Sequence, residues 1–413
     1  LKYNFSAQEH ASTVQWLSTT TFCMVEYGVL CAKLQGHSGC VRCLATLASG
    51  EVASGSWDGT IRVWDVHLGV CRQVLEGHTG RVRCFTVMGE RFASGSWDKS
   101  IRVWAPGSGN DDATWVCRHV LWGHPGRVWA MVGLDDRLLA SGSYTDGDIW
   151  VWDTLEGTCT SVLKGHTGAV MSLALCHGHL LSGSWDHDLR VWAMDGSRSG
   201  ATLRGHSQSV KCLAALSDGR VASGSYDHTV RVWNLITDQA ELVLEGHTGT
   251  VECLLDLGGS RMASGSWDYT VRVWTLPQPH TVSACVKKAR RADACCERIL
   301  EGHTEALTCL LSLGGGVVAS GAWDGNVRLW DTVGDRTCLD VLEAHESSVW
   351  CLLLYDACGS SGRLGKSVLL VSGSEDNAVN TWKLDEVAQR NGEALRDAGV
   401  SARSVQDGKL DQP

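Results

Sequence analysis

Short apolar runs that alternate with polar residues, each cut by Gly, Ser and Asp, repeat along most of the chain. One unit reads Gly36-His37, then an apolar segment Val41-Arg42-Cys43-Leu44, then Ser54-Gly55-Ser56-Trp57-Asp58, then Ile61-Arg62-Val63-Trp64. Period-two alternation between turn residues predicts strands joined by hairpins. A further run precedes each Gly-His, as in Gln73-Val74-Leu75 and Leu242-Val243-Leu244, so each unit supplies four strands.

The Gly-His pair recurs at His37, His78, His124, His166, His206, His247 and His303, with an Ala-His variant at His345. The closing tryptophans are Trp64, Trp104, Trp152, Trp192, Trp233, Trp274, Trp330 and Trp382. From His to Trp the separations are 27, 26, 28, 26, 27, 27, 27 and 37 residues, the last stretched by an insertion around Cys358 to Lys366. Four-stranded units of roughly 40 residues stacked around an axis make a closed all-β propeller, which leaves only short protected sheet edges. Eight blades are expected over residues 29–384, flanked by a non-repeat segment 1–28, read as the end of an upstream region, and a polar, mobile tail 385–413. The run Gly28 to Leu34 is an outer strand without inner partners, and the unit ending at Trp382 lacks an outer strand, so the two should complete one blade. Seven blades plus a flap is the alternative.

Leu75-Glu76-Gly77-His78 and Ala53-Ser54-Gly55-Ser56-Trp57-Asp58-Gly59-Thr60-Ile61-Arg62-Val63-Trp64-Asp65 resemble the consensus of the WD-repeat (Trp-Asp repeat) family. The resemblance runs through all eight units, although the terminal Trp-Asp pair is intact only at Trp64-Asp65, Trp152-Asp153 and Trp330-Asp331. It implies a hydrogen-bonded tetrad in each blade, joining His37, Asp58, Trp64 and Ser54 in the first. The matching aspartates are Asp98, Asp146, Asp186, Asp227, Asp268, Asp324 and Asp376. An imidazole donates from one nitrogen and accepts at the other, and so can link a carboxylate to a serine. A His-Asp-Ser set repeated eightfold with no unique pocket reads as architecture, so no enzyme activity, cofactor, metal or small-molecule substrate is expected.

The resemblance also places the residue before each turn aspartate, and the early residues of each innermost strand, around the narrow top of the ring. The first set is Trp57, Trp97, Thr145, Trp185, Tyr226, Trp267, Trp323 and Glu375; the second is Arg42, Arg81, Arg83, Arg127, Trp129, Lys211, Glu252 and Trp350. Arginine with indole is the composition of interface hot spots, and arginine clusters capture acidic or phosphorylated motifs. The competing reading is that these side chains stack as filler between blades.

Composition narrows the partners. With 44% hydrophobic and 20% charged residues the chain is globular, and no apolar run approaches membrane-spanning length. A formal charge of −10 opposes wholesale nucleic-acid binding. The 18 cysteines fall in columns. Cys43, Cys84, Cys212, Cys253, Cys309 and Cys351 share one repeat position, and Cys31, Cys71, Cys117, Cys159 and Cys338 another. Both columns read as small buried hydrophobes of a reducing, intracellular compartment, cytoplasm or nucleus.

Cys176, His177, His179 and His187 match no standard zinc spacing and read as surface residues. Cys285, Cys295 and Cys296 lie in a long connection that also holds the basic run Lys287 to Arg291, either a solvated loop or a nuclear-localisation or acidic-partner patch. The function expected is a protein-binding scaffold or adaptor. A narrower version is a ubiquitin-ligase substrate receptor, since the Val-Arg-Cys arginines Arg42 and Arg83 resemble those of F-box propellers. The alternatives are the propeller of a larger enzyme such as a kinase, or a chromatin-associated module.

Overall fold

The computed structural model describes residues 28–107, 114–193, 200–278, 295–356 and 368–384. The flanking segments, the insertion around Cys358 and the basic run Lys287 to Arg291 with Cys285 lie outside the described residues. Among the described residues, thirty-two strands, numbered in chain order, form eight four-stranded antiparallel sheets, so the propeller has eight blades. In the first, β2 (Val41–Thr46), β3 (Val52–Ser56), β4 (Ile61–Asp65) and β5 (Val70–Leu75) follow one another from the axis outward. Only the last blade breaks chain order: β1 (Val29–Leu34) pairs with β32 (Val379–Lys383), outside β31 (Val368–Ser374) and β30 (Val349–Asp356). The chain ends close the ring together, and the seven-blade alternative falls.

The core lies between blades. Ala53, Ile61 and Val63 of the first blade pack with Val82, Phe92 and Trp104 of the second, and Trp64 packs with Val371 and Val379 of the eighth. Burying such side chains contributes about 1.5–3 kcal/mol each. The seam is tight enough to require glycine: a Cβ on Gly55 would stand 2.6 Å from Cys43 Sγ and 2.7 Å from Phe85 of the next blade.

One irregularity repeats in all eight blades. The pairing of the innermost strand with its neighbour slips between Val41 and Cys43, and at the equivalent places in the other seven. A bulge of this kind leaves one residue outside the ladder and re-aims its side chain. The bulged residues are Arg42, Arg83, Trp129, Met171, Lys211, Glu252, Thr308 and Trp350.

Candidate functional site

The tetrads form in seven blades. His Nε2 meets the strand serine Oγ at 2.7–2.8 Å in every blade, and Trp Nε1 donates to the same oxygen at 2.7–2.9 Å. An indole can only donate, so the serine accepts from it and gives its own proton to His Nε2. The imidazole proton then sits on Nδ1 and faces the aspartate, at 2.8–3.0 Å in the pairs led by His37, His78, His166, His206, His247, His303 and His345. Burial pushes the Asp58 carboxyl up, but hydrogen bonds from His37 and Thr60 outweigh it and hold the group well below the usual range.

The third blade departs from this expectation. His124 keeps Ser141 and Trp152, but among the described residues its Nδ1 has no partner, and Asp146 Oδ1 is buried without one. Ser141 and Trp152 are 11 residues apart where the other blades have 10, so one residue is inserted in the turn. Thr145 takes the backbone bond to Ser143 Oγ that the aspartate makes elsewhere. Asp146 is therefore not a tetrad member, and the rim residue of this blade is Tyr144, not Thr145: its N–H bonds the Arg127 carbonyl at 3.0 Å, as Trp57 bonds Cys40.

That same bond fixes every rim residue against the start of the innermost strand. Trp97 is held by Arg81, Trp185 by Ala169, Tyr226 by Ser209, Trp267 by Thr250, Trp323 by Ala306 and Glu375 by Ser348. Rim residue and bulge residue thus meet at the mouth of the channel, where arginines stack on indoles. Arg42 lies 3.6 Å over Trp350 and 5.9 Å over Trp57; Arg81 lies 4.0 Å over Trp57 and 4.6 Å over Trp97; Arg127 covers Trp97 and Arg83 covers Trp129. Trp97 stacks on Trp129, which meets Tyr144, which meets Trp185.

Stacking covers the guanidinium faces. Arg42 Nε and Arg83 Nε, with the indole N–H groups of Trp57, Trp97 and Trp350, are buried without an acceptor among the described residues. Burial, and after it the charge of Arg83, bring Arg42 down to about 10. Lys211 differs: it pairs with Glu252 at 3.3 Å and lies 5.9 Å from the Tyr226 ring.

His177 and His179 flank a hairpin at the opposite end of the strand His179–Ser184 from His187, so the structure does not bring that set together. Among the described residues, no group of three or more His, Cys, Asp or Glu is placed to hold a metal ion. All described cysteines are free; the inner column is buried or half-buried, and burial lifts Cys84 to about 12 and Cys309 to about 11. The outer column is not buried as expected, since Cys31 and Cys159 are exposed on edge strands. No described helix is long and apolar enough to cross a membrane.

Eight four-stranded blades in a ring, with a His-Ser-Trp knot in each, define an eight-bladed β-propeller. The chain belongs to the WD40 family (WD domain, G-beta repeat), which matches residues 28–65, 69–105, 115–153, 157–193, 197–234, 239–275, 294–331 and 336–383. It is 44% identical over 62 residues to guanine nucleotide-binding protein subunit beta-5b of Danio rerio, covering 14% of this chain and 15% of that one. It is 30% identical over 87 residues to cell division control protein 4 of Candida albicans, covering 21% and 11%. Both matches thus span only a small part of those relatives. The crystal structure of the computationally designed Ika8 protein superposes with a TM-score of 0.68 at 28% identity, over 86% of this chain and 99% of that one.

Proposed function

We propose that this propeller is a non-catalytic protein-interaction scaffold that captures acidic or phosphorylated segments in the arginine–indole sector of blades one to three. The observation that carries this reading is a set of five buried donors, on Arg42, Arg83, Trp57 and Trp97 of that sector and on Trp350 of the adjoining eighth blade, with no acceptor among the described residues. An unpaired buried donor costs about 1–3 kcal/mol, and an oxyanion with several acceptor oxygens would satisfy more than one at once. The sector's arginines have no described carboxylate partner, whereas Lys211 on the other side is already neutralised by Glu252. Family membership supports a binding role, and the eightfold repetition of His, Ser and Asp supports architecture over catalysis.

The test is direct binding of a labelled phosphoserine peptide, its unphosphorylated form, and its glutamate form. The phosphoserine peptide is expected to bind tightest, and Arg42→Ala/Arg83→Ala to weaken it at least tenfold with folding intact. Equal binding by wild type and the double variant would move the partner surface away from this sector. A narrower reading makes the propeller a substrate receptor of a ubiquitin ligase. It is favoured by Arg42 and Arg83 standing together, and it predicts that a bound phosphopeptide competes with the substrate such a ligase modifies.

A further inference from the structure

The mouth has a second sector whose chemistry is the reverse of the first. In blades eight to three, Trp57, Trp97, Trp129 and Trp350 each carry an arginine of the chain itself on the ring face, and all four are half-buried. Trp185, Trp267 and Trp323 carry no described cation, and they are the exposed rim tryptophans, at 39, 37 and 40%. Trp267 and Trp323 are neighbours, with ring centres 5.8 Å apart and planes inclined by 46°.

The sequence explains the difference. Arg81 immediately precedes its blade's innermost strand (Val82–Met88) and lies between Trp57 of the first blade and Trp97 of its own. The equivalent position between Trp267 and Trp323 is Ala306, which holds Trp323 by its carbonyl and offers no side chain to cover either ring. Glu252 stands at the bulge position that Arg42 and Arg83 hold in the first two blades. Glu252 Oε2 accepts from Trp267 Nε1 at 3.2 Å, Glu305 is exposed beside Ala306, and Glu375 is exposed at the eighth rim position.

We propose that the Trp267–Trp323 pair, with Glu305 and Glu375, is a subsite for a cationic side chain, arginine or lysine, of a bound partner segment. The ligand's cation takes the place that Arg81 fills internally three blades further round the ring. An indole face attracts a cation through its quadrupole, and nearby carboxylates add attraction and set polarity. The inference rests on the reading that the top face is the partner surface. It adds that the partner is bipolar, with its basic end over blades six to eight and its anionic end over blades one to three.

The test uses the full chain and a fluorescein-labelled peptide of glycine and serine carrying three arginines and no acid, with the citrulline version as the uncharged isostere. Fluorescence anisotropy at low salt is expected to show binding of the arginine peptide at least tenfold tighter than the citrulline one. Trp267→Ala/Trp323→Ala should abolish that preference, and so should Ala306→Arg, which seats an internal guanidinium between the two rings. Arg42→Ala/Arg83→Ala should leave it intact. Equal affinity for the citrulline peptide, or an unchanged preference in the tryptophan double variant, would overturn the subsite. The two proposals fail separately: if the phosphoserine peptide does not bind while the arginine peptide does, the anionic sector falls and the cationic one stands.

Discussion

The first and third blades have the same strands and the same serine-centred knot, yet they treat the carboxylate differently. Asp58 gathers four donors: His37 Nδ1, the Ser38 N–H, and the N–H and hydroxyl of Thr60. In the third blade none of these survives. Pro125 follows His124 and has no N–H to give, the inserted residue displaces Asp146, and both His124 Nδ1 and Asp146 Oδ1 stay unpartnered among the described residues. Six blades place arginine where Arg62 stands; the third places Trp150 there, its ring 5.4 Å from His124 and stacked on Trp152. The bonds from Ser141 to His124 and from Trp152 to Ser141, both 2.7 Å, are undisturbed. The serine, histidine and tryptophan are thus the minimum a blade needs, the carboxylate is a further anchor, and an indole covers the histidine where that anchor is gone.

The widest gap between the two blades should appear on removing the carboxylate. Asp58→Ala strips the buried His37 imidazole N–H of its carboxylate and leaves the Thr60 hydroxyl at 3.2 Å as its nearest partner; it should cost about 2 kcal/mol in urea unfolding, while Asp146→Ala should change stability by under about 0.5 kcal/mol. Similar losses would mean that Asp146 does serve His124. A smaller effect runs the other way. Deleting Thr145 restores the 10-residue spacing of the other blades and should bring Asp146 onto His124 Nδ1, with a gain of about 1 kcal/mol. A loss of stability on deletion would show that the third blade has repacked around the longer turn.

The fold was legible because every blade repeats its own evidence: alternating apolar residues, a turn motif, and a fixed distance from histidine to tryptophan. The third-blade defect was visible as a separation of 28 and as Pro125, but Asp146 still stands before a glycine, as Asp58 does, and so passes for a tetrad member. Counting from Ser141 instead of His124 locates the extra residue. The bulge was harder to see, because a register slip leaves no mark of its own. Its trace is the mixture of Arg, Trp, Met, Lys, Glu and Thr that follows a conserved-looking apolar residue such as Val41 or Val82. That a bulge re-aims these side chains toward the mouth depends on strand pairing, which composition does not encode. The two sectors needed still more: whether an indole is covered by an arginine depends on contacts between neighbouring blades.

Acid separates the blades by the same logic, and here the sign matters. Burial brings His124 down to about 4, so between pH 6.5 and about 4 the unfolded chain binds a proton that the folded chain refuses. Stability therefore falls as pH drops through that window, by at most about 1.4 kcal/mol per pH unit from this residue. His206 and His247 share the direction, because burial lowers them more than their aspartates raise them. The paired aspartates behave otherwise. Burial opposes ionisation of Asp186, but hydrogen bonds from His166 and the Thr167 N–H hold it at about 2. Its contribution is complete above the unfolded carboxylate value of about 3.9 and is lost only as pH falls through about 2. His124→Gln should accordingly flatten the loss of stability between pH 6.5 and 4, whereas Asp186→Asn should leave the slope in that window unchanged. A slope in the His124→Gln protein equal to that of the wild type would place the acid sensitivity in His206 and His247.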